Sequence, residues 1–273
     1  MPLIILHEFF EKQDLKGKLG IGLILSLFAL PVRAVTADPA NLNTADCALF
    51  CHCEDGLDYA VKDSSSGNHV QHSEWFCKHL GDMVGISSPE CRIVEVNGEN
   101  AFGSRWESGH DPSDWWIRIM DGSIQKDRVA PTISRILAFD LFMDNIDRHA
   151  SNYIVRPQIG GAWSFLAFDH SKAWVANNWP LKIPPMAAGS NTRNNFSLIN
   201  KLVGDLLIPA QAIWVLDKIK DVNLSAIELI IDQHPPEWLK ADEKIAILDF
   251  WKNGQMELRA EQIKKGFQND EYI

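Results

Sequence analysis

The sequence is short of basic residues: Lys and Arg total 26 against 36 Asp and Glu, a formal net charge of −10 in 273 residues. Binding to nucleic acid through its phosphates requires clustered positive charge, so we expect no direct nucleic-acid binding. Hydrophobic residues still make up 46% of the chain, which excludes a disordered tail or a fibrous repeat. The length allows one large domain or two smaller lobes with a shared core.

The sequence also lacks the apolar run of ~20 residues that a transmembrane helix requires. An uncharged stretch at residues 19–32 is shorter than that, so no transmembrane span is expected. A cleavable signal is the alternative, since Val32 and Ala34 are spaced like a cleavage site. However, the preceding leader is long and carries acidic residues, whereas signal peptides are short and basic. We expect a cytoplasmic protein with residues 1–32 as an N-terminal extension, and a cleavable signal stays open.

The five cysteines are too few, and odd in number, for a disulfide framework in a chain of this length. Cys47, Cys51 and Cys53 surround His52, which suggests a zinc site. The three cysteines would share one face of a strand, and no second Cys or His pair follows at ligand spacing. Buried strand cysteines are therefore the preferred interpretation.

The pattern along the chain predicts an α+β fold with a strand-rich first part, residues 33–109, and a mainly helical second part, residues 110–273. Turn signals predict hairpins after Cys53, at Asn97 and Gly98, and at Gly160 and Gly161. A helix is expected to start at Pro131. We expect a long surface loop at residues 179–195 and one helix over residues 241–268.

The polar segment between a predicted helix and a predicted strand, residues 144–152, carries the most informative chemistry. Asp147 and Asn152 stand five residues apart, an interval found in the catalytic loops of kinases. A hairpin would return the chain at Asp169, beside Asn152. Mg²⁺ prefers such hard oxygen ligands and needs only one or two from the protein. Asp147 could then accept a proton from a hydroxyl. Taken singly, each could instead be a turn or capping residue.

Upstream, Lys62 ends an apolar strand and Glu74 lies at the start of the next predicted helix. A lysine in that position can reach the phosphates of a nucleotide, and a paired glutamate can fix its direction. The alternatives are a solvated edge charge for Lys62 and a favourable helix-dipole interaction for Glu74.

Together these residues resemble the HipA-like kinase family, within the protein-kinase-like and phosphatidylinositol-kinase-like fold. The resemblance extends over roughly residues 33–265, and its most specific section is 147–169. The segments that carry it are Ala60-Val61-Lys62, Ser73-Glu74, Asn145-Ile146-Asp147-Arg148-His149 with Asn152, Phe168-Asp169-His170-Ser171 and Pro235-Pro236-Glu237-Trp238-Leu239.

The resemblance implies a two-lobed protein-kinase-like fold, with a small β-rich N-lobe and a larger helical C-lobe. It implies an ATP- and Mg²⁺-dependent kinase acting on a hydroxyl, with a protein Ser or Thr as the expected acceptor. Asp147 would be the catalytic base, and Asn152 and Asp169 the metal ligands. Lys62 would hold the phosphates, braced by Glu74.

The same resemblance assigns the end of a strand to the hinge beside the adenine. The residues concerned are Arg105, Trp106 and Glu107. The sequence departs from the kinase pattern at residues 35–46, which contain no glycine and therefore no glycine-rich loop over the phosphates. A catalytically silent kinase-like protein, acting through nucleotide or protein binding, is the alternative.

Overall fold

Seven strands and eight α-helices form the part of the chain that the computed structural model describes, residues 30–40, 49–67, 69–107, 114–174 and 189–272. The strands are β1 (Val32–Pro39), β2 (Leu49–Cys53), β3 (Asp58–Lys62), β4 (Cys91–Val96), β5 (Glu99–Arg105), β6 (Tyr153–Pro157) and β7 (Trp163–Ala167). The helices are α1 (Val70–Met83), α2 (Trp115–Met120), α3 (Lys126–Met143), α4 (Asn191–Val203), α5 (Pro209–Lys220), α6 (Leu224–Asp232), α7 (Ala241–Lys252) and α8 (Gln255–Gln268).

The first five strands form a closed barrel in the order β1-β2-β3-β5-β4. Four pairings in the barrel are antiparallel, and two of them, β2–β3 and β4–β5, are predicted hairpins. A parallel contact closes the barrel where Val32 and Arg33 of β1 meet β4. Cys51 and Cys53 point into its interior and are 1% exposed, which confirms the prediction of buried strand cysteines for these two. Cys47 lies outside the described residues.

Helix α1 belongs to the main core rather than to the barrel interior. Its Trp75 and Phe76 are fully buried, and the same apolar cluster continues through α3 to the C-terminal helices. Trp75 Nε1 donates to the carbonyl of Ile230 in α6 at 2.9 Å, and Phe76 stacks on Trp174 with ring centroids 4.9 Å apart. The hydrophobic core is therefore continuous across the predicted boundary near residue 109.

Three predicted helix boundaries are wrong. Helix α3 starts at Lys126 and contains Pro131 in its interior, because Val129 and Ala130 are buried and their packing outweighs the lost backbone bond. Helix α4 starts at Asn191, within the predicted loop 179–195, because Ser190 caps it by accepting from the backbone N–H of Arg193. The expected helix 241–268 is two helices, separated at Gly254, whose φ is 72°.

Other sequence expectations fall outside the described ranges, namely residues 1–29, the second half of the glycine-free stretch 35–46 and the predicted joint at 109–112. Of the helices that are described, none combines the length and apolarity needed to cross a bilayer. The prediction of a mixed arrangement of sheets and helices is confirmed.

Gly103 in β5 is the position where the barrel tolerates least added volume. A Cβ placed there would lie 2.4 Å from Val94 Cγ2, whereas one at Gly81 in α1 would meet its nearest neighbour at 3.5 Å. We expect Gly103→Ala to lower the free energy of unfolding by about 1–3 kcal/mol through overpacking. Gly81→Ala, the matched control, should be neutral or stabilising because alanine favours the helix. Urea denaturation checks both, and equal effects would contradict the packing argument.

Buried histidines make the fold sensitive to acid. His72 Nδ1 and His234 Nε2 lie 2.9 Å apart in the core, and burial together with the charge of the other ring holds the pKa of His72 well below its usual range. Burial likewise lowers the pKa of His234. Burial and the neighbouring Lys78 charge lower the pKa of His79 to about 3. The folded protein therefore keeps these rings neutral at a pH where the unfolded chain protonates them.

Because the folded-state pKa values are depressed, the stability that these histidines contribute is present above pH ~6.5 and is lost as the pH falls below it. We expect the free energy of unfolding to decrease between pH 7.5 and 5. Each histidine should contribute up to about 1.4 kcal/mol per pH unit in that range. Urea denaturation across the range measures the slope, and His79→Gln should reduce it. Parallel curves for the two proteins would contradict this account.

Candidate active site

The first element of the site is Lys62, at the end of β3. Tyr59 and Val61 point into the barrel, so alternation along the strand turns Lys62 to the other face, toward α1. There Lys62 Nζ lies 2.5 Å from Glu74 Oε1 and 2.7 Å from Asp169 Oδ1. Three residues that the sequence places far apart, with Asp169 standing 107 positions beyond Lys62, form one buried ionic cluster.

The charges in this cluster are interdependent. Burial opposes the charge of Lys62, but the carboxylates of Glu74 and Asp169 outweigh burial and raise the lysine pKa. Burial would raise the pKa of Asp169, but Lys62 and the hydroxyl and N–H of Ser171 outweigh it and lower that pKa. Burial and the nearby Asp169 carboxylate raise the pKa of Glu74. Lys62 and Asp169 are therefore both ionised at neutral pH.

The polar loop that follows α3 is organised by Arg148, which is 3% exposed. Its Nε and Nη2 donate to the two carboxylate oxygens of Asp140, each at 2.8 Å, in the bidentate geometry that a guanidinium favours. Its Nη1 donates to the backbone carbonyls of Asn152 and Phe168. One side chain thus ties α3, the loop and the return strand together.

The hairpin of β6 and β7 brings the two predicted metal ligands to the same end. The ladder runs from Tyr153 opposite Ala167, and Phe168 N donates to the carbonyl of Asn152 at 3.2 Å. Asp169 follows at once, with a φ of 64° that turns its side chain away from the strand direction. Asn152 and Asp169 therefore lie at adjacent strand ends, as the sequence predicts.

The donor chemistry of this pair fits a hard cation. Asp169 supplies a carboxylate and Asn152 an amide oxygen, and Mg²⁺ bound with nucleotide phosphates needs no more from the protein. The described contacts of the Asp169 carboxylate all use Oδ1, with Lys62 and Ser171 as donors. Within the described residues no group of three or more His, Cys, Asp or Glu side chains is arranged as a closed metal site.

Asp147 lies at the open side of the loop, with its side chain 37% exposed. Its Oδ1 accepts from His149 Nε2 at 2.8 Å and from Asn191 Nδ2 at 2.6 Å. A partly exposed carboxylate with a fixed orientation can receive an incoming hydroxyl, which is what a general base requires.

The three residues expected beside adenine lie around the end of β5. Arg105 pairs with Glu90 at 3.3 Å on the surface, and Glu107 Oε2 lies 2.5 Å from Arg156 Nη2. Trp106 is 51% exposed and meets the ring of Phe50 edge to face, with centroids 4.7 Å apart. Trp106 therefore keeps an exposed apolar surface, whereas Arg105 and Glu107 are engaged in ion pairs.

Sequence reasoning missed several residues that shape the site. Asp140 gave no signal, since it lies inside a helix with an apolar stripe. Asn191 and Asn195 fell in a segment predicted to be a surface loop. Phe50 was assigned to a strand without regard to its face, although its pairing with Ala60 places it on the same face as Lys62.

A family model described as HipA-like kinase matches residues 44–111, about a quarter of the chain. The resemblance to HipA-like kinases is confirmed. The matched range contains Lys62, Glu74 and the Arg105–Glu107 segment, whereas the section 147–169, on which the sequence argument rested most, lies outside it.

A solved kinase structure has a similar fold. The proinflammatory kinase CtkA of Helicobacter pylori superposes with a TM-score of 0.56 at 12% identity, over 86% of this chain and 99% of that one. HipA of Shewanella oneidensis, from a toxin–antitoxin complex with HipB and operator DNA, gives a TM-score of 0.47 at 15% identity. That match spans 75% of this chain and 57% of HipA. No significant match is found among curated protein sequences. The chain is therefore similar to HipA-like kinases over residues 44–111, and it shares its overall fold with a kinase.

We expect Arg148→Met to lower the free energy of unfolding by about 3–5 kcal/mol, because it leaves the buried Asp140 carboxylate without its cation. Arg148→Lys should also destabilise, since an ammonium cannot bond both carboxylate oxygens and two carbonyls at once. Urea denaturation measures both effects. Arg118→Lys, in the solvent-exposed pair with Asp114, is the control and should change little. Equal losses at Arg118 and Arg148 would contradict the assigned role.

Proposed function

We propose that this chain is an ATP- and Mg²⁺-dependent kinase that transfers the γ-phosphoryl group to a hydroxyl, with protein Ser or Thr as the acceptor class. The observation that carries the proposal is Lys62 held between Glu74 and Asp169. Phosphoryl transfer relies on positioned charge rather than on covalent chemistry, and this cluster supplies a cation and a carboxylate at one point.

In the proposed complex, Lys62 donates to the nucleotide phosphates while Glu74 keeps its side chain extended. Glu74 is itself fixed, because the backbone N–H of His170 donates to its Oε1 at 3.0 Å. Asp169 and Asn152 would ligate Mg²⁺, which neutralises charge on the phosphates when bound. The aromatic pair Phe50 and Trp106 supports a base-binding role for this end of β5.

Asp147 would act as the base. The acceptor hydroxyl gives its proton to the Asp147 carboxylate, its oxygen bonds to the γ-phosphorus, and the bond to the leaving ADP breaks. The residue is open to solvent on one side, which supports an acceptor of macromolecular size. We propose residues 33–109 as the N-lobe and 110–273 as the C-lobe of a two-lobed kinase fold.

The second candidate is a catalytically silent kinase-like protein that binds nucleotide or a protein partner. The absence of any glycine from residues 35–46 favours it, because a glycine-rich loop normally covers the phosphates. The two candidates differ in turnover, and the same protein preparation distinguishes them.

We expect the purified full chain to release ADP from ATP in the presence of Mg²⁺. ADP release should stop when EDTA removes the metal. Asp147→Asn should lower kcat by about 10²–10⁴-fold, because the base is lost while the partly exposed position keeps the fold intact. Asp169→Asn should abolish turnover by removing a carboxylate ligand. A coupled ADP-release assay measures the rate, and mass spectrometry of the chain with a Ser/Thr peptide pool identifies the acceptor.

Asp232→Asn is the matched control, since Asp232 forms a surface ion pair with Lys244 away from the site. It should keep the wild-type rate. Wild-type turnover in both Asp147→Asn and Asp169→Asn would overturn the assignment of the site. A clean wild-type protein that binds ATP in a thermal-shift assay and never releases ADP would favour the silent alternative.

A further inference from the structure

The first turn of α4 is bonded to the loop that carries Asp147. Thr192 is 1% exposed, and its Oγ1 accepts from the backbone N–H of Arg148 at 2.9 Å and donates to the carbonyl of Asn145. Its own N–H donates to the carbonyl of Ile146 at 3.2 Å. These contacts fix the distance between the helix start and the loop, so the neighbouring side chains of α4 meet Asp147 in a defined geometry.

Two asparagines of α4 connect to the proposed base, one directly and one through His149. Asn191 Nδ2 donates to Asp147 Oδ1 at 2.6 Å. Asn195 Nδ2 lies 3.4 Å from His149 Nδ1, and His149 Nε2 lies 2.8 Å from the same Asp147 oxygen. Only the Nε2–H tautomer of His149 can accept from Asn195 and donate to Asp147 together.

We propose that Asn191 is a positioning residue for Asp147 and that Asn195 acts on the same carboxylate through His149. The proposal rests on the proposed kinase function. Within the described part of the chain, both donors bind Oδ1 of Asp147, which leaves Oδ2 as the oxygen that receives the hydroxyl proton. Two donors on one oxygen fix the orientation of the carboxylate.

The kinetic test compares asparagines on one helical turn. Asn191→Ala should lower kcat about tenfold with an unchanged KM for ATP, since a hydrogen bond to a charged group is lost at the base and not at the nucleotide. Asn191→Asp preserves the shape, removes the donor and adds a like charge, so it should lower kcat at least as far. Asn194→Ala is the matched control. Its Nδ2 donates to the carbonyl of Gly189 instead, and its kcat should stay at the wild-type value.

A spectroscopic test does not depend on turnover. Two-dimensional ¹H–¹⁵N NMR of the histidine rings, with His149→Gln used to assign the signal, should show the Nε2–H tautomer for His149. Asn195→Ala should shift this ring toward a mixture of tautomers, because Nδ1 loses its donor. A tautomer signal unchanged in Asn195→Ala would overturn the part of the proposal that concerns Asn195.

The outcomes distinguish failure of the positioning role from failure of the proposed kinase function. Normal wild-type turnover with equal kcat values for Asn191→Ala and Asn194→Ala overturns the positioning role and leaves the kinase function standing. Absent wild-type turnover overturns the kinase function and the positioning role with it. A kcat loss in both Asn191 variants, with KM for ATP unchanged and unfolding midpoints near the wild-type value, supports the proposal.

Discussion

The ion pair between Arg148 and Asp140 is the interaction on which the site depends. A buried guanidinium is tolerated only when its donors are satisfied, and here they reach a carboxylate, two backbone carbonyls and the Nε2 of His170. Burial and this cation hold the pKa of His170 well below its usual range, so the imidazole stays neutral and accepts. Arg148 binds the carbonyl of Asn152 and that of Phe168, the residue before Asp169. One side chain therefore sets the separation of the two proposed metal ligands, Asn152 and Asp169.

Lys62 provides the complementary constraint from the barrel side. Its cluster contains one cation and two carboxylates in a largely buried setting, an arrangement that costs stability unless every group is bonded. Glu74 Oε1 accepts from both Lys62 Nζ and the backbone N–H of His170. These contacts couple the barrel, helix α1 and the segment after β7. A displacement of any one of these elements would change the ionic contacts of Lys62 with Glu74 and Asp169.

The sequence predicted the features whose signals are local. The hairpin at Asn97 and Gly98 has a strong turn signal, and the alternation in β2 predicts that Cys51 and Cys53 share one buried face. The sequence did not predict the start of α3, because burial of its first turns decides where the helix begins. It also did not predict the break between α7 and α8, which depends on a single glycine, Gly254, in a polar stretch. Asp140 and Asn191 could not be found, since their importance comes from contacts with residues far along the chain and leaves no local pattern.

The closure of the barrel has a consequence for how the protein can be handled. The parallel contact of Val32 and Arg33 with β4 joins the two ends of the strand order, directly after the undescribed residues 1–29. Cutting the chain past residue 33 would turn a closed barrel into an open sheet with two bare edges. Unpaired strand edges recruit strands from other molecules, so such a truncation would self-associate. Shortened versions of this protein should therefore keep β1 whole.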